Sequence, residues 1–144
     1  MTRASGPDRA RPSRARTAAR LLLGSALVFA GSTHLTVARE EFRAQVPPWL
    51  PLDPDDVVLM SGVVEIGLGT MLIALPKEQR RVGLLAAAFF TAIFPGNIAQ
   101  WREKRDGFGL DTDTKRFARL FFQPVLIIGS LWATGSLRGS RRTK

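Results

Sequence analysis

Apolar residues occur in four long blocks along the chain, and polar residues fill the segments between them. The blocks are residues 21–38, 56–75, 82–100 and 117–137. At a rise of 1.5 Å per residue, the second block spans about 30 Å, which is the thickness of the hydrocarbon core of a bilayer. The pattern therefore predicts an all-α protein whose four helices form a transmembrane bundle.

The segments between the blocks carry signals for loops and membrane interfaces. Residues 39–55 contain four prolines, which fix φ and remove backbone donors, so we expect a short loop across the mouth of the bundle. Trp49 within this loop and Trp101 after the third block are predicted to anchor the protein in the lipid headgroup zone. Pro95 and Gly96 predict a kink or fraying in the last turns of the third helix.

The two ends of the chain are basic. Residues 1–20 hold six arginines together with Pro, Ser and Gly, so a disordered leader is predicted, and residues 138–144 are expected to form a similar basic tail. The membrane domain is then 21–137. A basic leader before an apolar run is also typical of a secretory signal peptide, here with cleavage after Ala38; His34 and the length of the run favour a membrane helix instead.

Charge predicts the topology of the bundle. Four helices place both termini on one side, and thirteen of the 21 Lys and Arg residues lie in the segments on that side. The positive-inside rule therefore favours cytoplasmic termini and a multi-pass protein of a cell membrane, most simply a bacterial plasma membrane. A net charge of +9 also suits nucleic acid, but these basic residues flank apolar blocks and are better interpreted as orientation signals and contacts to anionic lipids.

Composition narrows the chemistry further. The chain has no cysteine, which excludes disulfides, thiolate metal sites and dithiol redox chemistry within it. One histidine and no tyrosine argue against a transition-metal site, so no metal is predicted. No haem, flavin or iron–sulfur ligand set is evident.

A few polar residues interrupt the apolar blocks. Such groups are costly in hydrocarbon unless they are paired, so we expect them to face inward and meet in a polar pocket in the outer half of the bundle. The candidates for a ligand or proton pocket are His34, Ser61, Glu65, Asn97 and Gln123.

Four of these candidates also have a structural interpretation. Glu65 either serves a proton or ligand, or is a protonated carboxyl that donates a hydrogen bond to a neighbouring helix. His34 is either a ligand or a polar residue at headgroup level. Asn97 and Gln123 either contribute to the pocket, link helices, or satisfy carbonyl groups freed by prolines.

Small residues predict which helices pack closely. Gly62 and Gly69 lie on the same helical face as Glu65, and Gly24 and Gly31 repeat at seven residues in the first block. Small residues allow membrane helices to approach each other, so these two faces are predicted to oppose.

Several short motifs together resemble the DoxX-like family of small membrane proteins. The motifs are GSTHL (31–35), VPPWLP (46–51), SGVVEIGLG (61–69), FPGNI (94–98) and Gln-Pro (123–124). The similarity covers roughly residues 20–135, and the order and spacing of the motifs make it specific. The matching positions are His34, Pro48, Leu50, Pro51, Ser61, Gly62, Glu65, Pro95, Asn97 and Gln123; Gly96 departs from the alanine that the family often has.

The resemblance implies a four-helix membrane bundle and a link to membrane oxidoreductase assemblies, including quinone-linked ones. The leading hypothesis is an accessory subunit, not an enzyme by itself, that works with other membrane or peripheral oxidoreductase subunits and binds a quinone in the polar pocket. One alternative is a structural or assembly factor without ligand chemistry. Another is a small-molecule or proton carrier, which the absence of a detectable inverted repeat makes less favourable.

Overall fold

A computed structural model describes residues 12–138, which form four long α-helices and one short one. The prediction of an all-α fold is confirmed over these residues. The helices are α1 Arg14–Leu35, α2 Arg39–Arg43, α3 Pro54–Ala74, α4 Gln79–Arg102 and α5 Asp113–Ala133, and a 3₁₀ turn at Pro76–Glu78 precedes α4.

Three of these segments are long and apolar enough to cross a membrane. They are Arg14–Leu35, Pro54–Ala74 and Pro76–Arg102. The fourth long helix, α5, begins with a charged stretch that contains Asp113, Lys115, Arg116 and Arg119, and this shortens its apolar part.

The sequence placed the start of the first helix too late. Residues 1–11 of the predicted disordered leader lie outside the described residues, as do residues 139–144 of the tail, but Arg14–Arg20 belong to α1. The side chain of Ser13 accepts a hydrogen bond from the Arg16 amide and caps the helix. Arg20 is buried and donates to the carbonyls of Leu72 and Ile73 at the end of α3, so this turn is fixed by tertiary contacts.

The prolines affect the helices unequally. Pro54 starts α3 behind Asp53, whose side chain accepts from the Asp55 amide at 2.8 Å. The prolines of residues 39–55 leave only the five-residue helix α2, as expected. Pro95, in contrast, lies inside α4, which continues to Arg102. The fraying alternative is therefore wrong, and the kink stays a prediction.

The four long helices form two closely packed antiparallel pairs. α1 packs on α3 and α4 packs on α5, whereas contacts between the two pairs are sparse. In the first pair, a Cβ on Gly31 would lie 2.5 Å from the Gly62 carbonyl, and a Cβ on Gly69 would lie 2.5 Å from the Gly24 carbonyl. The predicted opposition of these glycine faces is confirmed.

The two ends of the bundle differ in character. One end, called here the loop end, carries residues 36–53 and 103–112. The other, the arginine end, carries Arg20, the 75–79 turn and Arg138, whose carbonyl accepts a hydrogen bond from Arg80. Both ends of the described chain lie at the arginine end.

The apolar core occupies the half of the bundle nearer the arginine end. Its members come from α1, α3 and α4, and are Leu27, Leu68, Leu72, Val82, Ala86 and Phe90. The half nearer the loop end is packed differently, and it contains the candidate site.

Candidate functional site

A cavity of about 630 Å³ lies between the two helix pairs and extends from beneath the loops at the loop end past the middle of the bundle. On α1 its wall runs from Leu23 to His34, eleven residues or about 16 Å along the helix. The wall is mostly apolar, with polar side chains concentrated toward the loop end. These polar side chains are His34, Gln45, Ser61, Glu65, Arg119 and Gln123.

The two loops at the loop end form a roof over this cavity. The Phe42 ring of α2 stacks on the His34 ring with centroids 3.3 Å apart, and Phe108 packs edge-on against Phe42 at 4.5 Å. Arg105 donates to the Val46 carbonyl at 2.9 Å, and the Phe108 amide donates to the Glu41 carboxylate. The short helix and the 103–112 loop are therefore tied to each other above the polar side chains.

His34 and Glu65 form the central polar pair. Both are 5% exposed, and Nδ1 of His34 lies 3.2 Å from Oε2 of Glu65. Nδ1 also lies 2.8 Å from the Ala30 carbonyl, which can only accept, so the geometry assigns a proton to Nδ1.

The hydrogen-bonding capacity of this pair is not used up. The Nδ1–H points to the Ala30 carbonyl, and Oε2 of Glu65 is buried without a well-formed hydrogen bond to any described residue. The side-chain nitrogen of Gln45, also on the cavity wall, is likewise buried and without a partner among the described residues. Buried polar atoms are nearly always paired, so these two mark the wall as a place where a ligand or water completes the structure.

Asn97 and Gln123 form a second polar group on α4 and α5. The Asn97 amide donates to Oε1 of Gln123 at 2.9 Å, and the Gln123 amide donates to the Phe90 carbonyl at 2.6 Å. Gln123 lines the cavity, whereas Asn97 is buried beside it. Pro95 has no amide proton to donate to the carbonyl four residues earlier, which belongs to Thr91. Gln123 bonds the Phe90 carbonyl and not this freed one. Asn97 and Gln123 therefore link the two helices.

The remaining predicted residues have less central positions. Ser61 lines the cavity but donates to the Val58 carbonyl of its own helix at 2.9 Å. Trp49 lines the cavity near the roof and is 68% exposed. The Trp101 ring lies 5.4 Å from the Phe117 ring, also toward the loop end. The anchoring role of both tryptophans stays a prediction.

Sequence analysis missed two polar residues of the wall, Arg119 and Gln45. A signal for Arg119 was present, because it precedes Gln123 by four residues and so shares its helical face. Arg119 is half-buried and makes no ion pair with another described residue. Gln45 lies in the loop and carried no comparable signal.

Within residues 12–138, no group of three or more His, Cys, Asp or Glu side chains is placed to hold a metal ion. The lining residues of the cavity offer hydrogen bonding and charge at one end, and apolar contact along its length.

No curated protein and no solved structure matches the chain. A family described as a domain of unknown function, DUF8561, matches residues 23–134, a segment that contains all of the candidate site residues. The chain therefore belongs to the DUF8561 family.

Proposed function

We propose that the chain is a four-helix integral membrane protein with cytoplasmic termini, and that it holds a small amphipathic molecule in its cavity. The membrane part of the proposal is supported by the three apolar helices and by the outward face of α5. That face exposes large apolar side chains, as a lipid-facing helix would, at Phe117, Phe121, Val125, Ile128 and Trp132.

The arginine end supports a cytoplasmic orientation. Lys77, Arg80, Arg81 and Arg138 are exposed there, at the end where both basic tails begin. Basic residues favour the cytoplasmic side of a bacterial plasma membrane and attract anionic lipid headgroups. In this orientation the cavity and its roof lie in the outer half of the membrane.

The cavity is the observation that carries the binding proposal. A pocket of several hundred Å³ with mostly apolar walls and a few convergent polar groups is typical of a small-molecule site. Its polar side chains are concentrated at one end, so a bound molecule would place its polar head near Glu65 and its apolar body toward Leu23 and Leu126.

A quinone suits this shape, and the proposed relation to the DoxX-like family favours it. Motif residues His34, Ser61, Glu65 and Gln123 all line the cavity. A quinone would supply the redox chemistry, while the chain would bind and orient it and exclude water from its head. On this proposal the protein is an accessory subunit that works with a membrane or peripheral oxidoreductase and catalyses no reaction alone.

Quinone binding can be tested with the purified protein in nanodiscs. Trp49 lies on the cavity wall and can report a ubiquinone or menaquinone analogue by fluorescence quenching when Trp101 and Trp132 are replaced by Phe. We expect saturable quenching that weakens at least tenfold in Glu65→Leu. The control Glu78→Leu, the same change outside the cavity near the arginine end, should leave it unchanged. No saturable quenching, or equal affinity in both variants, would refute the proposal.

A structural or assembly role is the second candidate. It is favoured by the Asn97–Gln123–Phe90 hydrogen bonds, which link α4 and α5 without any ligand. This candidate predicts that Glu65→Gln retains function while changes in the loop around Trp49 abolish it. Cross-linking and pull-down from native membranes separate the two roles. If the protein is an accessory redox subunit, a dehydrogenase or a sulfur-metabolising enzyme should co-purify with it.

A further inference from the structure

The polar end of the cavity restricts the chemistry of the molecule that it can hold. Three groups on the cavity wall bear on this. Oε2 of Glu65 and the side-chain nitrogen of Gln45 are buried without a well-formed hydrogen bond to any described residue. The guanidinium of Arg119 is half-buried and makes no ion pair with another described residue. The first is an oxygen whose proton is variable, and the other two are donors only.

The protonation state of Glu65 determines whether Oε2 needs a hydrogen-bond donor or a hydrogen-bond acceptor. As a carboxylate, Oε2 needs a donor; as a protonated acid, Oε2–H needs an acceptor. His34 cannot serve as that acceptor through Nδ1, whose proton is held by the Ala30 carbonyl. A ligand hydroxyl satisfies either state, because it has one O–H donor and two acceptor lone pairs.

The same oxygen suits the other side chains of the wall. An oxygen that donates to Glu65 keeps lone pairs that can accept from Gln45 or Arg119, and a carbonyl or ether oxygen could only accept. When Glu65 is ionised, the wall carries both a negative and a positive side chain, so a charged head of either sign would be repelled by one of them and attracted by the other. A neutral head meets no such repulsion.

We propose that the cavity selects a neutral molecule whose polar head is a hydroxyl on an apolar body, such as a phenol, a hydroquinone or a long-chain alcohol, with the hydroxyl bonded to Glu65. This inference rests on the proposed function and specifies the ligand class of the same site. Where a redox pair is bound, the reduced form with its hydroxyl binds more tightly than the oxidised form with its carbonyl.

The test compares para-hexylphenol with its methyl ether, para-hexylanisole, by Trp49 quenching in nanodiscs. Empty nanodiscs correct for partition into lipid. In the protein in which only Trp101 and Trp132 are replaced, we expect the phenol to bind about ten- to hundredfold more tightly than the ether, which is the range for a hydrogen bond to a charged group. The ratio should fall to about one in Glu65→Leu, stay high in the Glu78→Leu control and decrease in Gln45→Leu.

The outcomes distinguish this inference from the proposed function. If the phenol and the ether bind equally well, and the cavity-filling change Ala30→Phe abolishes the binding of both, the cavity remains a binding site. The proposal that it selects a hydroxyl would then be overturned. Tighter binding of para-hexylbenzoate than of the phenol would overturn the neutral head. Failure of these probes and of the quinone analogue to quench Trp49 would overturn both proposals, since the unpaired atoms would then be satisfied by water alone. The comparison of phenol with ether needs no change at Glu65, so it remains decisive if that variant does not fold.

Discussion

The close contact between α1 and α3 predicts that a single methyl group at Gly31 destabilises the protein. In Gly31→Ala the new Cβ would lie 2.5 Å from the Gly62 carbonyl, 2.8 Å from Ile66 Cγ1 and 3.0 Å from Glu65 Cβ. The first of these atoms belongs to the backbone, so the helices must separate to relieve the overlap. Overpacking of this kind costs about 1–3 kcal/mol, and we expect a value in the upper part of that range.

Gly67→Ala is the matched control because it adds the same methyl group at a position where no overlap results. Gly67 lies in α3, and a Cβ there would meet nothing within 4 Å. Both substitutions gain roughly the same helix propensity, about 1 kcal/mol, so the difference between the two variants isolates the overpacking cost.

The measurement is the free energy of unfolding in detergent micelles, titrated with sodium dodecyl sulfate and followed by far-ultraviolet circular dichroism. We expect Gly67→Ala to be as stable as the parent or more so, and Gly31→Ala to be about 2–3 kcal/mol less stable than Gly67→Ala. Equal stability of the two variants would refute the close α1–α3 contact.

Three further predictions concern polar contacts. Gln123→Leu should lower the free energy of unfolding by about 1–3 kcal/mol, because it leaves buried polar groups unpaired. A double-mutant cycle with Asn97→Ala should show strong coupling, and additive effects of the two substitutions on stability would contradict the hydrogen bond between them. Arg20→Met should destabilise the protein by about 1 kcal/mol by removing the donor to the end of α3, and unchanged stability would argue against that contact. The Lys115 side chain donates to Asp111 and holds the pKa of that carboxyl below its ordinary value; Lys115→Gln should raise it in carboxyl carbon NMR titrations. Since the folded pKa is lowered, this contact favours folding above the unfolded pKa of Asp111 and the contribution is lost as pH falls through the folded pKa.

Much of the fold could be predicted because hydrophobic blocks and glycine faces are local properties of the sequence. The four blocks correspond to the four long helices, and the glycine faces of α1 and α3 meet as their spacing indicated. The errors occurred where tertiary contacts decide. Arg20 looked like part of a solvated leader, and only its partners at the end of α3 explain why the helix extends through it.

The candidate site was predictable to the extent that polar residues in apolar blocks must find partners. His34 and Glu65 meet, and Gln123 meets Asn97. What the sequence could not provide was the division into two groups, since that depends on which helices pair. It also could not place Phe42 over His34 or Gln45 on the wall, because α2 and the loop that follows it take a path set by contacts with residues 103–112.

The division into two groups connects the fold to the proposed function. The interhelical hydrogen bonds of Asn97 and Gln123 hold α4 to α5, and the glycine contacts hold α1 to α3, so each pair is stabilised internally. The apolar core lies mainly in the half nearer the arginine end, and its members Leu27 and Phe90 also form part of the cavity wall. The other half contains a cavity with unpaired buried atoms on its wall. A protein selected only for a stable bundle would gain by filling that space, because cavities cost stability. The structure instead concentrates its polar groups there, which is the arrangement expected when a ligand completes the packing.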